Sequence, residues 1–327
     1  MNVLYLIQTH RSLPQIVRLV RAIKQASPRA AVLVSHNRES FAIDPAIFAD
    51  LADVHVMHVS NIVRFDWSFM QAFLDSVEHA RALKIDFDWL VNLTGQCYPA
   101  RPLAEFEAML AQATHDGLME YFEAFTPSPR NPWDYREASN RYHYQYRWRL
   151  TTNTLPTPLR KALSVPRRIV NNIQPWFRVD TAYGLKFGVR SPSHPFNAKD
   201  KLYGGSFFKT ISRRAADYLC AYPRRHPELT EQYRYLNINS EVFPQTVLLN
   251  NPAFSFQYDL HHYIKWEQAK LGSPPTLTVR DYDAIVSSGY FFARKFDLDE
   301  DSRILDMLDE RIFAAPVAAE RRLPAHV

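Results

Sequence analysis

The sequence predicts an α/β fold, a mostly parallel sheet flanked by helices, with a basic, aromatic-rich region inserted near its middle. Three observations point there. Compact apolar runs alternate with segments of helical periodicity through the first 124 residues, the rhythm of strands joined by helices. The runs are near-continuous rather than alternating, as in strands buried on both faces. With 8 Gly against 22 Pro, stiff loops rather than flexible linkers join the elements.

Residues 3–9 (Val-Leu-Tyr-Leu-Ile-Gln-Thr) read as the first strand. Ile16, Leu19, Val20 and Ile23 then repeat at helical spacing, with Pro14 tolerated in the first turn. Strands are expected at 31–35 and 54–59. Ser68 is expected to cap a helix to about Ala82 that buries Met70, Phe73, Leu74 and Val77. A buried strand at 89–93 ends at Thr94-Gly95, followed by a helix at 103–112 and a fifth strand at 118–122. Ligands of such sheets sit beyond the carboxyl ends of the strands, which singles out His10, 35–37, Ser60-Asn61 and 94–98. The rhythm breaks at 125–201 and resumes with a strand at 203–209 and helices at 212–222, 240–249 and 278–287. One domain is expected, with 1–124 and 202–310 as its halves, 125–201 as an insertion and 311–327 as a tail.

Two cysteines, Cys97 and Cys220, make no disulfide framework, and the opening apolar run is too short for a signal peptide or a membrane span. Both features favour a cytoplasmic location. The net charge of +5 is localised: residues 130–201 hold fourteen Lys/Arg against four Asp/Glu. Such a stripe suits nucleic acid, anionic lipid or an anionic substrate, or is a solvated face. No histidine or cysteine spacing suits zinc, and phosphate-binding glycine loops and the serine-hydrolase elbow are absent. The pairs Asp86/Asp88, Asp281/Asp283 and Asp297/Asp299 lie outside the strand end where a diphosphate-bound cation would be held, and are read as structural.

Four segments, in order, carry a resemblance. They are Asp-Trp-Leu-Val-Asn-Leu-Thr-Gly-Gln-Cys-Tyr-Pro at 88–99, Gly-Gly-Ser-Phe-Phe at 204–208 with Ile-Ser-Arg at 211–213, Asn-Ser-Glu-Val-Phe-Pro-Gln-Thr-Val-Leu at 239–248, and Phe-Phe-Ala-Arg-Lys-Phe-Asp at 291–297. Together they resemble the core-2/I-branching β-1,6-N-acetylglucosaminyltransferases and peptide O-xylosyltransferases, glycosyltransferase family 14, in a bacterial-type member. The resemblance implies a GT-A-like fold, a UDP-sugar co-substrate, inversion at the anomeric carbon and no cofactor or obligatory metal. It makes 1–124 the nucleotide-sugar-binding half, 202–310 the catalytic half and 125–201 the acceptor side. N-acetylglucosamine is the expected donor sugar, xylose the alternative, and a surface glycan or lipid-linked precursor the acceptor.

By the same resemblance Glu241 is the general base, expected to open a helix beside Ser240, and Lys295 stabilises the departing diphosphate. Arg294 is adjacent, and a strand would turn the two cations to opposite faces. Thr94, Gly95, Gln96, Gly205 and Ser206 line the donor cleft with His10. His262 stands where the family has arginine, Gln96 where aspartate is common, and Val34-Ser35-His36 where an aspartate faces the base. Tyr142, Trp148 and Trp266 are the expected acceptor contacts. The aromatic and basic run at 141–149 also fits a non-catalytic polysaccharide- or nucleic-acid-binding module, or an ordinary amphipathic strand; nucleic acid is not expected as a partner.

Residues 159–179 place Leu163, Val165, Ile169, Val170, Ile173, Trp176 and Phe177 among Arg160, Lys161, Arg167, Arg168 and Arg178. Peripheral contact with an anionic membrane is one reading. Apolar residues capping the protein's own core is the other, and Pro166 and Pro175 are expected to interrupt a long helix.

Overall fold

Every residue of β1, Val3–Thr9, is buried, which is why the sequence can place an unbroken apolar run there. The structure, a computed structural model, describes residues 1–151, 155–182, 184–191, 196, 199–266, 269 and 273–313. After β1 come α1 (Leu13–Ala26), β2 (Ala31–Asn37), β3 (Val54–Val59), α2 (Trp67–Ala82), β4 (Trp89–Thr94), β5 (Cys97–Pro99), α3 (Leu103–Ala111) and β6 (Gly117–Glu123). The middle of the chain supplies α4 (Tyr135–Tyr142), β7 (Tyr144–Arg149), α5 (Thr157–Ile173), β8 (Phe177–Asp180) and β9 (Lys186–Arg190). Then follow β10 (Tyr203–Ser212), α6 (Arg213–Arg225), α7 (Pro227–Arg234), α8 (Phe243–Leu249), β11 (Phe256–Gln257), β12 (His262–Ile264), α9 (Tyr282–Ser288), β13 (Phe292–Arg294) and α10 (Arg303–Phe313).

These elements form two compact units. The first takes Met1–Arg11, Arg29–Gly95 and Ala113–Leu260; the second takes Ser12–Pro28, Gln96–Gln112 and the chain from His261 onward. In the first, seven strands run in the order β11-β6-β10-β4-β1-β2-β3. Four of the six neighbouring pairs are parallel, and β10 is antiparallel to both β4 and β6. The α/β architecture expected from the sequence is the one observed. Helices α2 and α6 pack on each other over a core that includes Leu4, Leu6, Leu33, Phe73, Leu90, Leu219 and Phe243. Residues 125–201 contribute a separate antiparallel sheet, β7-β9-β8.

The second unit is built on a three-stranded sheet, β12-β13-β5. Buried Tyr98 of β5 donates to Asp309 of α10 at 2.6 Å, and Arg18 of α1 reaches Asp306 and Asp309 at 2.7 and 2.6 Å. That network ties α1, β5 and α10 together.

Several expectations need correction. Asp66, not Ser68, caps α2, accepting from the Ser68 amide at 3.1 Å; the Ser68 hydroxyl instead accepts from the Val63 amide at 2.9 Å. Ser212 caps a longer α6 that carries Pro223 near its end. The helix expected at 240–249 is a 3-10 turn, Asn239–Glu241, followed by the separate α8. The start at Thr278 is a 3-10 turn, Val279–Asp281, with a reciprocal capping box to Asp281. Pro166 does not interrupt α5 but lies inside it, and α5 buries none of its side chains. Leu159, Val165, Ile169, Val170 and Ile173 are all exposed, so the reading in which they cap the core is overturned.

Candidate active site

Glu241 does not open a helix. It closes the 3-10 turn, one residue before the Val242 N-cap of α8. The turn is held from inside: the buried Asn239 side chain donates to the Arg234 and Leu236 carbonyls, and the Glu241 amide to the Ile238 carbonyl at 3.2 Å. Ile238 sits in the left-handed region at φ 56°, ψ 48°. A β-branched residue there costs about 1–3 kcal/mol, and such strain persists where the surroundings over-determine a conformation. The Glu241 side chain is half-buried, and its charge acts on Arg141, Tyr142 and Lys209.

Lys209 is the residue that the sequence reading missed. It is 2% exposed on β10; its ammonium lies over the Phe73 and Phe207 rings and donates to the Phe207 carbonyl at 2.6 Å and to Asn92 at 3.4 Å. Asn92 in turn donates to Gln8 at 3.4 Å, giving a buried polar ladder across β10, β4 and β1. Burial pushes the Lys209 pKa down to about 7, with the Glu241 carboxylate opposing the shift. The available signal was a lysine inside an apolar strand, between Phe208 and Ile211.

Gly205 and Ser206 lie where β10 slips its register against β6, between Gly205 and Lys209. Such bulges re-aim backbone and side chains beside functional sites. A Cβ at Gly205 would meet the Glu120 carbonyl at 2.0 Å, so this glycine is required by its strand neighbour. The Ser206 carbonyl accepts from buried Gln245 of α8 at 2.6 Å, which ties the bulge to the helix after Glu241.

At the other strand ends of this unit, Thr94 pairs with Gln8, and the Gly95 amide donates to the Gln8 carbonyl at 3.1 Å. His10 is exposed just after β1; partial desolvation, then Arg11, His36 and Arg64, hold its pKa below the usual histidine value. His36 is fully buried. Its ring nitrogens bond Thr9 at 2.8 Å and the Phe41 carbonyl at 2.9 Å, so the residue standing in the place of the family's aspartate is not available to a nucleobase. Tyr142, expected to touch the acceptor, is 1% exposed and packs against Trp133, and that expectation is corrected. Trp148 remains exposed on β7.

The second unit gathers the other candidates. β12 and β13 pair His262 with Phe292 and Ile264 with Arg294, so His262 and Arg294 share a face of the sheet. His262 is buried and stacks on Phe292, ring centres 5.1 Å apart. β13 stops at Arg294, so the strand alternation expected for Arg294 and Lys295 does not extend to Lys295. The Lys295 ammonium donates to Ser273 at 3.0 Å, and its carbonyl accepts from Leu277. Gln96 is bound twice to Phe296: its side chain donates at 3.2 Å and its carbonyl accepts at 3.0 Å. The two motifs at 88–99 and 291–297, far apart in sequence, are therefore joined. His261 is left-handed at φ 50°, and Trp266 is exposed. Asp281 is held below the usual carboxylate range: its bonds to Lys265 and Thr278 outweigh partial burial, the largest single influence, which acts upward. Asp281 is thereby a structural residue. Among the described residues, no group of three or more His, Cys, Asp or Glu is placed to hold a metal.

These features define an α/β protein in which polar and glycine-bearing turns follow strands β1 and β4 of the first unit. Residues 3–165 match the family model of the Core-2/I-branching enzymes. The chain is 25% identical over 276 residues to the β-glucuronosyltransferase GlcAT14A of Arabidopsis thaliana, covering 82% of this chain and 52% of that protein. It is 25% identical over 303 residues to GlcAT14B of the same plant, covering 90% of this chain and 59% of the relative. The chain thus spans little more than half the length of these curated relatives. Among solved structures, 4-diphosphocytidyl-2C-methyl-D-erythritol synthase from Anaerococcus prevotii overlaps with a TM-score of 0.37 at 8% identity, over 88% of this chain and 95% of that one.

Proposed function

We propose that the protein is an inverting glycosyltransferase that moves a sugar from a UDP donor to a hydroxyl of a surface glycan or lipid-linked precursor. The observation that carries this reading is Glu241, a half-buried carboxylate ending an over-determined turn within the third family segment. Its carboxylate takes the acceptor hydroxyl proton as the acceptor oxygen bonds to the anomeric carbon. The bond from that carbon to the diphosphate oxygen breaks, and UDP leaves with the electron pair. Lys295 balances the charge that develops on the diphosphate, with Arg294 beside it in sequence. No metal enters this scheme.

The family motifs favour N-acetylglucosamine or xylose as the donor sugar, and the relatives named as β-glucuronosyltransferases add glucuronate. A screen of UDP-N-acetylglucosamine, UDP-xylose and UDP-glucuronate with EDTA present tests the reading. Protein-dependent release of UDP from one of them supports it; release only on addition of Mn²⁺ or Mg²⁺ ends the metal-free scheme.

A cytoplasmic enzyme resting on the inner membrane face is part of the proposal. Among the described residues, no helix is long and apolar enough to cross a membrane. The exposed apolar stripe of α5, with Trp176 and Phe177 beyond it, supports peripheral contact with anionic lipid.

A further inference from the structure

Residues 125–201 do more than present a basic surface. Helices α4 and α5, strand β8 and the residues leading to Glu241 line an open cavity of about 480 Å³, within the size range of small-molecule sites. Five arginines line it: Arg136, Arg141, Arg167, Arg168 and Arg178. Its two carboxylates are Glu137 and Asp180, and both are engaged. Glu137 is paired with Arg141, and Asp180 accepts from Asn237 at 2.7 Å and from the Ala182 amide at 2.9 Å.

The other four guanidinium groups have no carboxylate partner among the described residues. Arg136 bonds the Asn172 amide oxygen, Arg167 the Thr181 hydroxyl at 3.1 Å, and Arg178 the Asn140 amide oxygen at 2.9 Å and the Gln174 carbonyl at 3.1 Å. Among the described residues, Arg168 bonds no side chain. Neutral oxygens orient a guanidinium without cancelling its charge. Like charges gathered at a cavity repel unless an anion joins them, and the arginine fork matches carboxylate and phosphate oxygens in pairs. The cavity also reaches the turn that carries Glu241: Asn237 and Ile238, four and three residues before it, form part of the wall, and the Glu241 charge acts on Arg141.

We infer that this arginine-lined cavity is an acceptor subsite for an oxyanion, the carboxylate of a uronate or a phosphate on the glycan or lipid-linked acceptor. The assignment to the acceptor rests on the transferase reading above; the anion site itself does not. Calorimetric titration with oligogalacturonate, with inorganic phosphate and with a neutral oligosaccharide of equal length tests it. At least one of the two anions is expected to bind, more weakly as salt rises, and which one binds separates carboxylate from phosphate recognition. Arg136 and Arg168 are exposed, so Arg136→Gln/Arg168→Gln should fold, as circular dichroism melting would verify, and should weaken anion binding about tenfold or more. Arg136→Lys/Arg168→Lys should retain much of it. UDP affinity of the Gln double variant should match wild type. Anion binding no tighter than that of the neutral sugar, or unaltered in the Gln variant, overturns the site. A parallel loss of UDP affinity overturns the acceptor assignment, because the cavity would then serve the donor. Anion binding with no turnover of any UDP-sugar would sink the transferase reading and leave the site standing.

Discussion

The turn carrying Glu241 and the helix α5 lie in one compact unit and follow opposite rules. The turn is determined from within: Asn239 and Ser240 are buried, Ile238 is forced into a left-handed conformation, and a buried lysine and an arginine feel the Glu241 charge. Helix α5 is held instead by polar contacts on one side: Arg167 donates to Thr181, Asn171 exchanges two bonds with the Val179 backbone, and Asn172 accepts from Arg136. Its 17 residues bury no side chain; Arg167 and Arg168 line the arginine cavity while Val165, Ile169 and Ile173, at four-residue spacing, are exposed. Substitutions in the turn should therefore act on chemistry and stability, and substitutions on the outer face of α5 on association alone.

The largest effect is expected at the base. Glu241→Gln keeps the shape but removes proton affinity, and turnover should fall roughly 10²–10⁴-fold with little change in donor affinity. Near-wild-type turnover would remove Glu241 from the mechanism. If the proposed scheme holds, Lys295→Ala removes the cation that balances the diphosphate, and turnover should fall about 10²-fold together with UDP affinity. Loss of neither in single-turnover and titration measurements would return Lys295 to a structural role beside Ser273.

Lys209 gives a pH signature. Folded Lys209 has released its proton above about pH 7, whereas the unfolded chain holds it to near 10.5, so unfolding takes up a proton across that window. Stability therefore rises with pH there, by up to about 1.4 kcal/mol per unit from this group. In urea unfolding from pH 7 to 9, the stability of wild type should rise relative to that of Lys209→Met. A constant difference would mean that the buried ammonium keeps its charge.

On α5, Ile169→Ser/Ile173→Ser should change stability by no more than about 0.5 kcal/mol, because neither residue is buried. Flotation with phosphatidylglycerol-containing vesicles should fall several-fold in the same variant. Equal, negligible flotation of wild type with neutral and anionic vesicles at low salt would end the membrane reading and the contrast with it.

The fold was legible where burial on both faces writes itself into composition. Strands β1 and β3 fall at their expected bounds, and most of the other expected elements are displaced by only a few residues, whereas α4, α5, α7, β8 and β9 had no counterpart in the sequence reading. Caps were less legible, since Asp66 and Ser68 are both good capping residues and only the chain path selects between them. At the candidate site, the residue types at Glu241, Arg294 and Lys295 could be singled out from linear motifs. Lys209 and the arginine cavity could not, because neither is a motif.

By itself the sequence determined the α/β class, the basic character of residues 130–201 and the identity of the family segments, all properties of local order and composition. Only the tertiary structure decided that His36 and Tyr142 are buried, that β10 bulges at Ser206, and that α5 turns arginines toward a cavity and leaves its apolar face uncovered. The physical reason is that burial and the convergence of charge depend on which distant segments pack together. Arg136 and Arg178 are 42 positions apart in the chain and line one wall-bound space, a relation that no local pattern encodes.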